Sequence, residues 1–136
     1  MNERSSSAWM LAITLLVCSL GCSKAGPTMG QVVFEDGSPV AAGSIEFRDI
    51  EDGELFASRI KGGWFQPENK KGKLGLPPGD YEIVVVQVVL TEDLAKAAHS
   101  HGNTVPRRYA DYHTSGLEAT IGEGQTDGLK VVLQSE

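Results

Sequence analysis

Residues 30–48 read GQVVFEDGSPVAAGSIEFR, and their period decides the fold. At the start Val32 and Phe34 fall on one side and Gln31 and Glu35 on the other; at the end Ile45 and Phe47 alternate with Ser44, Glu46 and Arg48. Side chains on extended backbone point alternately to opposite faces, so an apolar residue at every second position marks a strand with one face in a core and one in water. Between the two runs lies Asp36-Gly37. Glycine tolerates positive φ and aspartate bonds its own backbone, which makes this a favoured turn pair. A hairpin joining the two strands is expected.

The same alternation runs outward along the chain. Phe56, Ser58 and Ile60 share a side, and Gly62-Gly63 turns FASRI back into WFQ as a second, shorter hairpin. Of Trp64 and Phe65 one is expected in the core and the other partly exposed, with a sugar-stacking platform as the alternative. PENKKGK (67–73) reads as a solvated loop: Lys70, Lys71 and Lys73 have no phosphate cradle around them. LGLPPGDYEIVVVQVVL (74–90) is the most apolar stretch and is expected to form a central strand beginning at Asp80 or Tyr81, because the prolines cannot hold a ladder. Tyr81, Ile83 and Val85 then face the core. Val84, Val86 and Val88 face outward and need cover, by the later loop, by a partner, or through a bulge near Gln87; loop cover is the preferred reading. In 91–108 the run LAKAA predicts one or two helical turns. Leu117, Ala119 and Ile121, then Leu129, Val131 and Leu133, give two last strands, with GEGQTDG (122–128) as their hairpin loop. The sum is an all-β, antiparallel seven-stranded β-sandwich with one short helix in a long loop.

Ahead of these strands the chain carries an address. Ala8 to Leu20 is apolar and too short to span a bilayer comfortably, and it closes on SLGCS, where Gly21 precedes Cys22. This has the form of a bacterial lipobox, although Ser19 stands where leucine is commonest. Residues 1–21 are therefore expected to be a lipoprotein signal peptide, Cys22 the lipid attachment site, 22–28 a flexible tether and 29–134 the domain. Each buried methylene contributes about 0.8 kcal/mol, so two or three acyl chains anchor a small domain firmly. Cleavage discards Cys18 and lipidation consumes Cys22, which leaves a domain of about 115 residues without a thiol or a disulfide. The expected location is the cell envelope, on the outer membrane or the periplasmic face; Ser23 rather than aspartate after the cysteine favours outer-membrane delivery. The net charge of −6 and the lack of a clustered basic face argue against nucleic acid.

VPRRYADYHTSGLEATIGEG (105–124) concentrates the chemistry-bearing side chains. Asp111, His113 and Ser115 do not make a triad by spacing, because neighbours in extended chain alternate in direction and no G-x-S-x-G elbow is present. His99 and His101 form an H-x-H pair with His113 or a carboxylate as the remaining ligand, short of the three or four converging ligands a metal needs. The acidic residues Asp49, Asp52 and Asp127 lack calcium-loop spacing. No cofactor is expected. The candidate binding residues are Val84 and Val86 on the outer face and Arg107, Arg108, Tyr109 and His113 in the returning segment.

Taken together, G-x-V-x-x-x-DG-x-PV-x-x-G-x-I-x-F in residues 30–47, GLPPGDYEIVV, VPRRYADYHTSGLEATIGEG and the terminal LKVVL resemble the small carboxypeptidase-regulatory-like, transthyretin-like lipoproteins of bacteria. The resemblance covers Thr28 to Gln134. It implies a prealbumin-like sandwich on a lipid tether, with Tyr109 laid against the core and Thr114-Ser115-Gly116 as the turn into the next strand. Val105 replaces the usual isoleucine and Ala110-Asp111-Tyr112-His113 the usual Asp-Pro, so a looser corner is expected. A purine-pathway hydrolase shares the fold, but its histidine near the start and its Tyr-Arg-Gly-Ser close are missing. The function expected is that of a non-catalytic, lipid-anchored envelope module that binds a protein or glycan or serves a structural role. The alternatives are a metal- or glycan-binding domain using segment 91–113 and, more weakly, a hydrolase.

Overall fold

The computed structural model describes residues 26–87 and 103–135. The signal segment with Cys18 and Cys22, the expected LAKAA helix, Val88, His99 and His101 lie outside the described residues. Within them the chain is mostly β with little helix. The strands are β1 (Gly30–Phe34), β2 (Ala42–Asp49), β3 (Leu55–Lys61), β4 (Trp64–Phe65), β5 (Glu68–Asn69), β6 (Gly79–Val86), β7 (Leu117–Ile121) and β8 (Leu129–Leu133). Between β6 and β7 come a 3₁₀ turn (Arg107–Ala110) and a single α-helical turn, α1 (Tyr112–Ser115). The strands form one curled sheet in the order β7-β6-β2-β3-β4-β1-β8, with β5 beside β3.

Alternation places the core where the sequence reading puts it. Val32, Phe34, Ile45, Phe47, Phe56, Ile60, Tyr81, Ile83, Val85, Ile121, Val131 and Leu133 all lie inside the curl. Four aromatics centre it: Tyr81 meets Phe47 and Phe56 edge-on at 6.4 and 5.9 Å, and Phe47 packs against Phe65 at 5.5 Å. Edge-to-face contacts match the positive ring edge to the negative ring face, which adds about 1 kcal/mol per pair to the burial itself. The Tyr81 hydroxyl donates to the Pro77 carbonyl at 2.6 Å, so the phenol enters the core with its polar end satisfied.

Two expected hairpins are not made, and this changes the sheet from antiparallel to mixed. The Asp36-Gly37 turn is present: the Asp36 carboxylate accepts from the Ser38 amide and hydroxyl, and Phe34 N–H donates to the Ser38 carbonyl. Beyond a single bridge between Val33 and Pro39, however, β1 and β2 do not pair. The Val40 and Ala41 carbonyls instead accept from Gly63 and Gly62, and the chain crosses to lie between β3 and β6. That leaves one side of β1 for β8, which pairs with it in parallel from Gly30↔Leu129 to Phe34↔Leu133. β7 pairs with β6 at the opposite end of the path. The seven residues 122–128 can extend about 24 Å and lead from β7, beside β6, to β8, beside β1, so they form a crossover and no hairpin.

The eighth strand arises inside the expected loop 67–73. Lys61↔Trp64, Ala57↔Glu68 and Phe56↔Asn69 share a single antiparallel register, so β4 and β5 are the two halves of one strand facing β3. The ladder fails between them because Pro67 has no N–H and the Gln66 N–H is taken by the Ser58 hydroxyl at 2.8 Å. Two smaller corrections concern the ends of elements. Gly26 and Pro27, assigned to the tether, are buried, and the Leu76 N–H donates to the Pro27 carbonyl. β6 stops at Val86 without a bulge, and Gln87 accepts from the Val105 N–H at 2.9 Å, fixing the place where the chain returns.

Candidate functional site

The residues 103–116 occupy the part of the β6 edge that β7 leaves open, because β7 pairs only with Gly79–Ile83. Pro106 cannot donate, and the 3₁₀ turn that follows drops Tyr109 into the core with 4 % of its surface exposed. The Tyr109 hydroxyl accepts from the Gln134 N–H at 2.9 Å and from the Arg108 guanidinium at 3.0 Å, so one ring ties the β6 side to the end of β8. Arg108 also lies 4.6 Å above the Tyr109 ring and donates to the Gln134 carbonyl. Asp111 then caps α1 by accepting from the His113 N–H, and Gly116, at φ 64°, ends it.

Ser115 and Asp111 of the suspected triad are committed to this architecture. Ser115 is buried, its hydroxyl donates to the Ile83 carbonyl, and the same oxygen accepts from the Leu117 N–H. The Asp111 carboxylate holds the α1 amide, and the His113 side chain is exposed. No base aims at the Ser115 hydroxyl. The corner is also not loose: the Thr114 hydroxyl donates to the Arg108 carbonyl at 2.6 Å, which braces the two short turns against each other.

The outer face of β2 and β6 carries a second polar group of residues that sequence reading did not assemble. Tyr112 reaches from α1 over the sheet and donates to Glu46 at 2.8 Å, while the Arg48 guanidinium stacks 3.8 Å from the Tyr112 ring centre and forms an ion pair with Glu82. Glu46 lies directly opposite Val84 in the register, so Tyr112 covers Val84, and loop cover of that valine is what the structure shows. Val86, one step beyond, stays 41 % exposed. Burial and the neighbouring Glu46 push the Tyr112 phenol well above its ordinary value; the Glu82 hydrogen bond raises Arg48. The signal was present in the alternation of Glu46 and Arg48, but the partner ring comes from 64 residues later in the chain.

An open groove lies elsewhere. On the outer face of the β3-β4-β5 hairpin an open groove of about 560 Å³ is lined by Met29, Arg59, Lys61, Trp64, Glu68 and Leu74, among others. Phe65 is buried, as expected for one of the pair, whereas Trp64 keeps 50 % of its surface exposed. Met29 and Leu74 are nearly as exposed, at 44 and 45 %. Arg59 and Lys61 occupy alternate outward positions of β3, and the only ion pair among the described residues is Arg48 with Glu82. A smaller cleft is lined by Asn103 to Arg107 and Ser135, with the exposed Arg107 at its rim.

Among the described residues no three His, Cys, Asp or Glu side chains converge as a metal site, and no helix is long and apolar enough to cross a membrane. Comparison of the chain with protein-family models, with curated proteins and with solved structures yields no match.

Proposed function

We propose that the protein is a non-catalytic binding module of the cell envelope, a variant of the prealbumin-like sandwich held on a membrane by lipid at Cys22. The resemblance to carboxypeptidase-regulatory-like lipoproteins belongs to this proposal. It draws support from the all-β architecture, a single curled sheet of eight strands, and from the buried Tyr109 and Ser115 in the segment where that resemblance expects a corner. The observation that carries the reading is a separation of roles. In the segment 105–116, Tyr109, Asp111, Thr114 and Ser115 spend their polar groups on backbone partners, while an exposed tryptophan sits with two exposed cations on the β3-β4 hairpin.

Anchoring rests on the Gly21-Cys22 junction after an apolar run. Mass spectrometry of the native N-terminus tests it: a thioether-linked diacylglycerol on Cys22 is expected, and a Cys22→Ser variant should leave the membrane fraction. An intact Met1 N-terminus, or a Cys22→Ser chain that stays on the membrane, would remove the anchor from the proposal. The binding half is tested by cross-linked capture in the envelope with wild-type chain and with Ser115→Ala. Capture that survives the serine substitution fits a module; ester or amide turnover that disappears with it would restore the hydrolase alternative.

A further inference from the structure

We infer that the hairpin groove at Trp64 binds an acidic polysaccharide, with the indole stacking on a sugar ring and Arg59 and Lys61 receiving its carboxylates. This rests on the binding-module reading above and assigns that module its ligand class and its site. The first support is shape: the groove is shallow and open along the sheet, so a chain can lie through it. Trp64 contributes a flat, half-exposed apolar surface to its lining, together with the half-exposed Met29 and Leu74. A sugar ring presents C–H groups on one face and hydroxyls around its rim, which fits an indole below and polar side chains at the edge.

Charge gives the second support. The protein carries a net charge of −6, yet this face places Arg59 and Lys61 two residues apart on β3, about 7 Å along the strand, with no carboxylate among the described residues paired to either. Lys61 lies directly across from Trp64. Glu68, opposite Ala57 further along, is the groove's own acid and is placed to accept from hydroxyls beyond the cationic end. Two exposed cations with no ion-pair partner among the described residues, beside an exposed aromatic, select an anionic ring-bearing ligand over a neutral one.

Peptide and bilayer fit less well. A peptide added as a strand needs a free backbone edge, and β4 is hydrogen-bonded on both sides, to β3 at Lys61 and to β1 at Gly30 and Gln31. A flat anionic bilayer would also meet surface beyond the groove, which the net charge of −6 sets against it, whereas a single chain contacts the groove alone.

The chain has two tryptophans, Trp9 and Trp64, so a Trp9→Phe background makes Trp64 the sole indole whatever the fate of the N-terminus. Titrated with an oligogalacturonate, this protein should show a saturable change in Trp64 emission, while the fully methyl-esterified oligomer should bind about tenfold more weakly. Arg59→Gln with Lys61→Gln should lose a comparable factor and abolish the preference for the free acid. In calorimetry Trp64→Ala should lose about tenfold and Trp64→Tyr should retain most of the affinity, which separates stacking from misfolding at an exposed site. No saturable response, affinity that survives the double glutamine variant, or equal binding to phosphatidylglycerol vesicles would each overturn the assignment. Capture of an envelope protein that is unaffected by Trp64→Ala would leave the module reading standing and this inference refuted.

Discussion

Ser115 shows how little a side chain's identity says about its work. Hydroxyl, imidazole and carboxylate lie within five residues, yet Ser115 is buried and bonded to the Ile83 carbonyl and the Leu117 amide. Removing it strands a buried acceptor that water cannot reach. Ser115→Ala should therefore cost about 1–3 kcal/mol in chemical denaturation with no change in ligand capture. A silent substitution would show the hydroxyl to be dispensable. The phenols give a pH signature with a definite sign. Tyr81 is raised by burial and by the nearby Asp49 carboxylate, and Tyr112 by burial and Glu46. A phenol whose folded value is raised stabilises fully below its unfolded value of about 10, and that stability is lost as pH rises beyond it. An unfolding series should fall steeply on the alkaline side, and Tyr112→Phe should make the fall shallower. Equal slopes would mean that Tyr112 titrates alike in both states.

At the scale of elements, the alternation in 30–48, 56–60 and 81–85 named the inward residues correctly, because the period of a strand is a property of the backbone alone. Which strand lies beside which is not. The Asp36-Gly37 turn forms as read, but the ladder ends after one bridge because Gly30 and Gln31 pair with β4, and the partner on the other side of β1 comes from the far end of the chain. Nor did the residues around Pro67 disclose that β4 and β5 continue one register on either side of a break, since that depends on the Ser58 hydroxyl capturing the Gln66 amide. The Gly62-Gly63 turn was legible and is demanding. Gly63 sits at φ 84°, and a Cβ there would lie 2.7 Å from the Pro39 Cβ. Gly63→Ala combines a left-handed backbone with that contact and should destabilise by about 1–2 kcal/mol or more, read as a lowered denaturant midpoint. Gly37→Ala, at φ 85° but with open space around its Cβ, should cost less. Equal losses would make backbone conformation the whole effect.

For the whole molecule, the sheet runs from β7 to β8 with β5 beside β3, and the segment 103–116 ties its two sides together through Tyr109. That leaves the hairpin face of β3 and β4 as the accessible surface where aromatic and cationic groups combine. Of this site, Trp64 was legible as one exposed member of an aromatic pair, whereas Arg59 and Lys61 were invisible as partners until the hairpin register set them beside it. The most direct test is a residue-resolved amide chemical-shift titration of the full chain with an oligogalacturonate. The account predicts saturable shifts clustered at Met29, Arg59, Lys61, Trp64 and Leu74 with the amides of 105–115 unmoved; shifts centred on Arg107 to Ser115, or none on the hairpin, would contradict it.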